Sequence, residues 1–506
     1  MRVFLKYSIV LVAFFSLNGL ALAQDTTLIE QIGNCDISYD SDINPDAYMF
    51  VGDVIFRQDS TLFYCDSALM DDKSNNMFGY YHVRIVMEDS LTIYGDSLHY
   101  FGNSKMAHIF GDVKMVDDKG TLYTDLLKYN RRAKIGFYET WGRIVDSANI
   151  LTSNKGYFYT QKDEIYFKDN VVLVNPDYTM YSDTCMYNTE TEVIYAHGPT
   201  KVVSEENTLF GEKGWYDTKK DLGQFHDNSY LDNGKQLLLG DSLYYDRNID
   251  YGRAIQNVML IDTAKDVVTL GHYSEYFKMD SFAYVTDSAV AIMIDSEKKD
   301  SLFMHADTLK VWFDKNDEVN RLQAFYKTKF FKNDMQGMSD SLEYLINDSV
   351  INMYHDPVLW LEGNQLSGDT IMIRLKNEEI HTLDLVEHSF IISHDTLDNY
   401  NQIKGKNMTA SFKDNELNHI LVTGNSQSVY FVREEETGDL IGINKAESSY
   451  MRIYIKDSEI DQITYIKSPK APMYPERDLA PSDRILKDFK WWIDRKPNRK
   501  EDIFVW

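Results

Sequence analysis

The sequence predicts an all-β fold, an elongated trough of bent antiparallel strands with about two strands in each 29-residue repeat. Three observations predict it: a short motif recurs at a nearly fixed interval, turn-forming residues separate the copies, and aromatic residues make up 13% of the 506 residues. Aromatic side chains, 35 Tyr among them, fit the half-buried surface of a pleated sheet. The chain has only 9 Pro, so we expect few interrupted strands.

The recurring motif is a small residue, an Asp and then alternating apolar residues, as in Gly95–Tyr100. Other clear copies are Thr124–Tyr129, Ser182–Tyr187, Gly240–Tyr245, Ala306–Val311 and Ser339–Tyr344. With the Asp as reference, thirteen copies fall at positions 66, 96, 125, 154, 183, 212, 241, 272, 307, 340, 369, 406 and 447. The first six intervals are 29 or 30 residues long. Such a constant step predicts a stack of repeats that grows as one unit.

Each repeat contains a second β segment with a Gly or Asn corner, as in Phe110–Met115. Polar clusters separate the two segments. The strongest turn signal is Asp232–Lys235, because its Asn-Gly pair accepts the positive φ of a tight hairpin. Strand, turn and strand at this spacing predict antiparallel neighbours.

Strict alternation would place Tyr94, Asp96, Leu98 and Tyr100 on one face of a strand, and that face is mainly apolar. A column of unpaired carboxylates on an apolar face would be costly. We therefore expect each strand to bend at the Asp, with a bulge or corner there and a matching bend at the Gly or Asn of the returning strand. Two bent strands per repeat, stacked in order, make a folded trough.

The sequence divides into four parts: a signal peptide at 1–23, a lead-in at 24–48, the repeats at 49–466, and a Pro-rich linker with a basic aromatic tail at 467–506. Whether the repeats form one stacked unit or two is left open. The signal peptide has a basic start, a short apolar run and small residues before Gln24, so we expect export to the periplasm, with association with the outer membrane left open. In the tail, Ser482 is predicted to cap a short helix with Ile485, Leu486, Phe489 and Ile493 on one side.

The formal net charge of the chain is −27 at pH 7, whereas residues 467–506 hold ten basic and seven acidic side chains. An acidic body of this kind repels nucleic acid and anionic membrane surfaces, so neither is expected as a partner. A solubilising role for the acidic turns explains most of this charge.

The sequence contains no recognisable catalytic motif, neither a nucleophile elbow nor a phosphate-binding loop nor a zinc-binding helix. His381, His388 and His394 are the nearest histidines to one another, but their spacing fits no helical metal motif. Thirteen equivalent Asp positions favour an architectural role over a catalytic one. We therefore expect no catalytic residues, no cofactor and no metal.

The repeat resembles the OstA/LptA-type repeat of periplasmic lipopolysaccharide transport proteins. The residues that carry the resemblance are Val51–Val54 with Cys65–Ser67, Phe110–Val113 with Thr124–Leu126, and Gly240–Tyr245. The resemblance covers most of 49–466 and implies a β-jellyroll whose interior holds acyl chains and passes them between two membranes. Its implied partners are the acyl chains of lipopolysaccharide and other transport jellyrolls that add strand to strand at free sheet edges.

The leading hypothesis is a non-enzymatic lipid carrier or bridge for lipopolysaccharide transport and outer-membrane assembly. Its groove would consist of the apolar motif residues Leu98, Tyr100, Leu127, Tyr129, Tyr187, Leu243, Tyr245, Leu342 and Tyr344. If the trough closes on itself, these side chains are ordinary core, and the protein is a structural or adhesive envelope protein with a dry, filled interior. A third reading, a carbohydrate-active β-helix enzyme, requires parallel coils of three strands, against which the two-segment repeat argues.

Overall fold

The structure is a computed structural model that describes residues 27–39, 47–87, 91–146, 148–294, 300–377, 379–396, 398–413, 416–434, 436–456 and 459–506. The predicted signal peptide lies outside these residues. No helix in the described ranges has the length and apolar character that crossing a bilayer requires.

Most of the described residues form β-strands. The first nineteen strands are Glu30–Gln31 (β1), Cys35–Tyr39 (β2), Ala47–Gln58 (β3), Thr61–Asp71 (β4), Asn76–Val86 (β5), Thr92–Phe101 (β6), Met106–Val116 (β7), Thr121–Asn130 (β8), Ile135–Tyr138 (β9), Gly142–Val145 (β10), Ile150–Ser153 (β11), Lys155–Tyr159 (β12), Glu164–Val174 (β13), Tyr178–Asn188 (β14), Val193–Ala196 (β15), Thr200–Ser204 (β16), Thr208–Gly211 (β17), Lys213–Asp217 (β18) and Leu222–Asp232 (β19). The remaining strands are Gln236–Asp246 (β20), Tyr251–Asp262 (β21), Val267–Phe277 (β22), Phe282–Met293 (β23), Leu302–Phe313 (β24), Val319–Phe331 (β25), Met335–Leu345 (β26), Val350–Tyr354 (β27), Val358–Leu361 (β28), Asn364–Ser367 (β29), Thr370–Lys376 (β30), Glu379–Val386 (β31), Ser389–His394 (β32), Tyr400–Gly405 (β33), Asn407–Lys413 (β34), Glu416–Arg433 (β35), Leu440–Lys456 (β36), Glu459–Ile466 (β37) and Met473–Tyr474 (β38).

The described chain forms two compact units. The first contains the residues up to 146 together with 155–162, and the second contains 148–154 and everything from 163 onward. In the first unit, β3 to β8 pair in sequence order, β8 continues into β9 and β10, and β1 and β2 both pair with β3. All of these pairings are antiparallel, as the repeat predicts.

The second unit is also an antiparallel meander, running from β13 to β37. Some of its bent strands are divided in two at the bend: β15 and β16, for example, pair with the two halves of β14. The predicted all-β class with two bent strands per repeat is confirmed. Because every described strand pairing is antiparallel, the alternative of parallel β-helix coils is wrong.

The bends are β-bulges, and the extra residue lies on the Gly or Asn strand. Across β3 and β4, Val51 pairs with Ser67 and Val54 with Cys65, so Gly52 and Asp53 stand opposite the single residue Asp66. Two consecutive residues with positive φ occupy most of these bends: Tyr81–His82, Gly111–Asp112, Asp169–Asn170, Asp227–Asn228, Gln256–Asn257, Asp287–Ser288, Tyr326–Lys327, His355–Asp356, Glu387–His388, Gly424–Asn425 and Lys467–Ser468. We call these the bend pairs.

The bulge changes which side of the strand faces inward, and this corrects the prediction of a shared face. In β6, Leu98 and Tyr100 are buried, but Tyr94 and Asp96 are exposed. The alternation of side chains shifts by one residue at the bend, because the strand twists there. The repeated Asp is thus outside the core and needs no compensation for burial.

The tail, residues 467–506, contains β38 and four 3-10 helices, Glu476–Asp478, Pro481–Arg484, Ile493–Arg495 and Lys500–Phe504. The predicted helix beginning at Ser482 is wrong: the short turn ends at Arg484, and Ile485 is extended. Around this point, backbone groups of the tail bond to side chains of the sheet. Gln402 accepts a 2.8 Å hydrogen bond from the Leu486 N–H and donates one of 2.8 Å to the Arg484 carbonyl.

The tail covers an apolar face of the second unit. Leu479 and Leu486 are buried in a cluster with Phe390, Phe431 and Ile443. Further along, Trp492 packs on a cluster of Met338, Val358 and Trp360. This explains why both sides of the strands beneath the tail are buried.

Candidate functional site

The predicted groove residues line the space enclosed by the two halves of the bent strands. Seven of them are buried, with at most 5% of the residue surface exposed: Leu98, Tyr100, Leu127, Tyr129, Leu243, Tyr245 and Leu342. Tyr187 and Tyr344 are half-buried. The structure therefore places seven of the nine in the interior of the unit to which each belongs and leaves Tyr187 and Tyr344 partly exposed.

In the first unit, the Tyr100 hydroxyl belongs to a polar network at the strand ends. It accepts a 2.6 Å hydrogen bond from the Arg131 guanidinium and donates to the Gln58 side-chain oxygen. Arg131 also donates to the Gln58 side chain at 3.0 Å and to its backbone carbonyl at 3.1 Å. Burial raises the pKa of Tyr100, so its hydroxyl stays protonated at neutral pH.

In the second unit, Tyr245 has an equivalent polar end. Its hydroxyl donates a 2.6 Å hydrogen bond to Asp250 and accepts one of 2.9 Å from the Asn207 side chain. Burial, followed by the hydrogen bond to Asp250, raises the pKa of Tyr245 far above its usual range. The apolar rings face the core, and their hydroxyl groups tie neighbouring turns together.

These networks join two rows of turns. In an antiparallel meander, alternate turns lie at the same end of the strands; because every strand is bent, the two ends also approach each other. We call the turns after β3, β5 and β7 of the first unit, and after β19, β21, β23 and β25 of the second, the first turn row. The intervening turns, after β4, β6 and β8 and after β20, β22, β24 and β26, are the second turn row.

In the first unit, the two rows are linked by Lys105, whose ammonium lies 2.7 Å from the Asp59 carboxylate. Burial alone would raise the pKa of Asp59, but the hydrogen bonds from Lys105 and Thr27 outweigh it and lower the pKa. Together with Gln58 and Arg131, this pair closes the end of the interior beside Tyr100.

In the second unit, hydrogen bonds and ion pairs also join turns of opposite rows. Lys278 lies 2.6 Å from Glu206, which is in the turn after β16. Asp262 accepts a 2.8 Å hydrogen bond from the buried Val319 N–H, and Gln236 donates one of 2.7 Å to the Asp317 carbonyl. We call this line of contacts between the two rows the seam.

The interior beside this part of the seam is filled by side chains. The crevice bounded by Leu260, Val267, Val311 and Phe313 has no room for a water molecule. The neighbouring crevice at Leu238 and Tyr276 holds about 10 Å³. Here the apolar residues act as close-packed core.

A cavity of about 540 Å³ opens on the seam further along the second unit. From the side of the first turn row it is lined by Lys265, Val267, Met293, Ile294, Asp300, Leu302, Lys332, Asp334 and Met335. From the side of the second turn row it is lined by Tyr344, Ile346, Ser349, Ile351, Leu375, Glu379 and Ile380. Tyr344 is the one predicted groove residue at this opening.

Sequence reasoning missed the residues that close the rows and those that line the cavity. Gln58, Arg131 and Lys332 lie in turns or at strand ends, where polar residues are ordinary and carry no signal of their own. They close the seam or line the cavity because the two turn rows meet in three dimensions. The sequence pattern along the chain does not show that meeting. The sequence signal that could have found the cavity-lining residues is the apolar residues that follow each motif, such as Ile346 after Tyr344.

A second opening, of about 650 Å³, follows the bends of the first unit and is lined by Asp53, Asp66, Asp96 and Asp112, among others. The exposed His82 lies 2.7 Å from Asp66, and this hydrogen bond raises the pKa of His82. Within the described ranges, no group of three or more His, Cys, Asp or Glu side chains is placed to hold a metal ion. The carboxylates form a solvated outer edge.

Comparison with known proteins gives two family matches. A family model described as OstA-like protein matches residues 26–183 and 178–291. A second model, described as LptA/(LptD N-terminal domain) LPS transport protein, matches residues 297–379. No curated protein matches the chain.

Among solved structures, the chain is similar to LptH of Pseudomonas aeruginosa, described as the LptA homologous periplasmic component of the lipopolysaccharide transport device. The two sequences are 14% identical, and the match covers 28% of this chain and 92% of LptH with a TM-score of 0.21.

Proposed function

The chain belongs to the family of OstA-like proteins, and on that premise we propose that it is a non-enzymatic, lipid-binding protein of lipopolysaccharide transport and outer-membrane assembly in the periplasm. The observation that carries the proposal is an enclosed apolar interior built by the same repeats that match the family. Seven of the nine motif residues considered as lipid contacts are buried in that interior. A hydrocarbon chain is stabilised in such surroundings by about 0.8 kcal/mol for each buried CH₂.

The test is photo-crosslinking in living cells, with a photoreactive amino acid in place of Tyr129 or Tyr245. Both side chains are buried in their units, so the probe samples the interior. The control position is Tyr94, which is 41% exposed on the outer face. We expect capture of lipopolysaccharide from the interior positions and not from Tyr94. Reproducible absence of capture at all nine interior positions contradicts lipid binding.

Depletion of the protein provides an independent test of transport. If the chain bridges membranes, newly made lipopolysaccharide accumulates before it reaches the outer membrane. Normal arrival of lipopolysaccharide at the cell surface after depletion rules out a necessary role in that path.

We further propose that the sheet edges dock other jellyroll proteins of the same path. Support comes from β2, which pairs with β3 and carries the exposed apolar side chains Ile37 and Tyr39. Main-chain hydrogen bonds at an edge strand join two sheets whatever their side chains. Photoreactive residues at Ile37 are expected to capture a partner protein in the envelope. Crosslinks at this position to lipid alone would contradict edge pairing.

The filled crevice beside Leu260 favours a second function, that of a structural envelope protein without a ligand. A close-packed interior opposes a lipid chain, because each chain atom must displace a side chain. The crosslinking experiment separates the two functions, since a structural protein captures no glycolipid from any interior position.

A further inference from the structure

The cavity on the seam has both charged and apolar side chains in its lining, and the apolar ones range from exposed at the rim to buried at the floor. Ile351 at its floor is 4% exposed, Leu302 and Tyr344 are half-buried, and Ile294 at its rim is 44% exposed. A volume of about 540 Å³ lies within the range, roughly 300–1,000 Å³, of sites that bind small molecules. The neighbouring crevices beside Leu260 and Leu238 have almost no free volume.

The lysines at the cavity differ from the lysines that close the seam. Lys332 lies 3.8 Å from Asp334 and 4.0 Å from Asp300, and Lys265 lies 3.5 Å from Glu318. By contrast, the closing pair Lys278–Glu206 has a separation of 2.6 Å. The lysines at the opening hold their carboxylates too loosely for direct hydrogen bonds, so they are able to exchange them for an anionic oxygen at small cost.

We propose that an amphiphile with an acyl chain and a phosphate-type head group enters the interior sideways through this cavity. The chain lies against Tyr344, Ile346 and Leu375, and the head group stays at the rim with Lys265 and Lys332. This proposal rests on the proposed lipid-binding function and adds the place and direction of entry. Loading occurs through the side of the repeat stack, between two turn rows.

The first test narrows the opening. Leu375→Trp fills the cavity from the second turn row, and Ile380→Trp is a second variant of the same kind. The matched control is Ile249→Trp, at a residue 53% exposed in a turn of the same row. The readout is photo-crosslinking of lipopolysaccharide from position 351 at the cavity floor, with capture from position 129 in the first unit measured in parallel.

We expect either Trp variant to lower capture at position 351 by about tenfold, a change of roughly 1.4 kcal/mol in binding, and the control to leave it unchanged. Undiminished capture at 351 in both Trp variants, with capture at 129 intact, overturns lateral entry and leaves the lipid-binding function standing. Absence of capture at every position in the unmodified protein overturns the function itself, and the entry site with it.

The second test examines the head group with the purified full chain and three probes: dodecyl phosphate, dodecanol and inorganic phosphate. The double variant Lys265→Gln/Lys332→Gln is expected to bind dodecyl phosphate about tenfold more weakly and dodecanol equally well. Lys219→Gln, at a lysine 69% exposed in a turn of the second unit, is the control. Equal weakening for dodecanol, or tight binding of inorganic phosphate alone, contradicts a head-group role for the two lysines.

Discussion

The Arg131 guanidinium donates a 2.6 Å hydrogen bond to the Tyr100 hydroxyl, 31 residues earlier in the chain. This bond places a permanent positive charge beside an apolar interior, and Arg131 contacts Gln58 as well. The arrangement shows how polar turn residues become the boundary of the core.

Tyr100→Phe is expected to destabilise the protein by about 1–3 kcal/mol, because Arg131 and Gln58 lose a buried partner that water cannot replace. Urea denaturation followed by circular dichroism measures the change. Tyr94→Phe, at an exposed position of the same strand, is expected to change the free energy of unfolding by less than about 0.5 kcal/mol. Equal effects of the two substitutions would contradict the boundary role of Tyr100.

Alkaline pH is expected to destabilise the fold through the buried tyrosines. Burial raises the pKa of Tyr178, Tyr216, Tyr245 and Tyr276 well above the unfolded value of about 10. A tyrosine whose pKa is higher in the folded than in the unfolded state contributes stability that is fully present below the unfolded pKa. That contribution is lost as the pH rises from the unfolded pKa through the folded pKa. The loss of stability above about pH 10 is therefore expected to be smaller in Tyr245→Phe than in the parent protein.

Thermal unfolding at several alkaline pH values, with phenolate absorbance recorded in parallel, measures this effect. Tyr81→Phe is the matched control, since Tyr81 is 67% exposed. A Tyr81→Phe profile that flattens as much as that of Tyr245→Phe would refute the assignment to buried hydroxyls.

Acid pH is expected to destabilise the fold through the ion pair between Arg433 and Asp395. The hydrogen bond from Arg433, with the shortest contact to Asp395 Oδ2, lowers the pKa of Asp395. A carboxyl group whose pKa is lower in the folded than in the unfolded state stabilises the fold at pH values above its unfolded pKa of about 3.9. That contribution is lost as the pH falls through the folded pKa. Arg433→Gln is therefore expected to lose less stability than the parent between about pH 5 and pH 3.

The comparison for this prediction is Arg477→Gln. The Arg477 side chain is 87% exposed and lies 3.5 Å from Asp478, so its loss is expected to leave the acid limb of the stability curve unchanged. Parallel curves for the parent and Arg433→Gln would show that Asp395 does not carry the acid sensitivity.

The bend pairs predict opposite outcomes at two positions. Gly111 has φ +76°, and an added Cβ there would overlap the Asp96 carboxylate, so Gly111→Ala is expected to destabilise by more than about 1 kcal/mol. Tyr326 has φ +66° and is 62% exposed, so Tyr326→Asn is expected to stabilise by about 0.5 kcal/mol, since Asn tolerates this region better. The same sign for both substitutions in urea denaturation would be inconsistent with left-handed bends.

The tail is expected to detach at its end when Lys329 is replaced. This buried lysine donates 2.9 Å and 2.5 Å hydrogen bonds to the carbonyls of Arg495 and Val505. Lys329→Met is expected to raise the rate of tryptic cleavage after Arg495 or Lys500 by about tenfold, because cleavage follows the population of the opened state. Lys327→Met, at the neighbouring exposed position, should leave the rate unchanged, and an equal rise there would argue against anchoring by Lys329.

Periodicity was sufficient to predict the repeat, its antiparallel pairs and the burial of Leu98 and Tyr100. It gave the wrong side for Tyr94 and Asp96, because β6 bends opposite the bulge of its neighbour and its alternation shifts there by one residue. It also predicted a helix at Ser482, because the spacing of Leu486 and the neighbouring apolar residues is compatible with one face of a helix. The hydrogen bonds from the Leu486 N–H to Gln402 and from Lys404 to the Lys487 carbonyl hold this segment against the sheet in a non-helical conformation. The cavity at Tyr344 depends on turns that meet across many residues, which local patterning does not encode.

The bend pairs fix which residues face inward on the strands that carry them. Along β5, Gly79 and Val83 are buried on either side of the pair Tyr81–His82, at an even spacing. Deleting one residue of the pair would make that spacing odd, and the half-strand beyond it would turn its exposed positions inward. Some turns have more room: at Gly363 and Gly438 an added Cβ would meet nothing within 4 Å, and the constraint there is the positive φ, which favours glycine. Changes of chain length are therefore expected to be ruinous at the bends, and insertions for labels or tags belong in turns that make no seam contact.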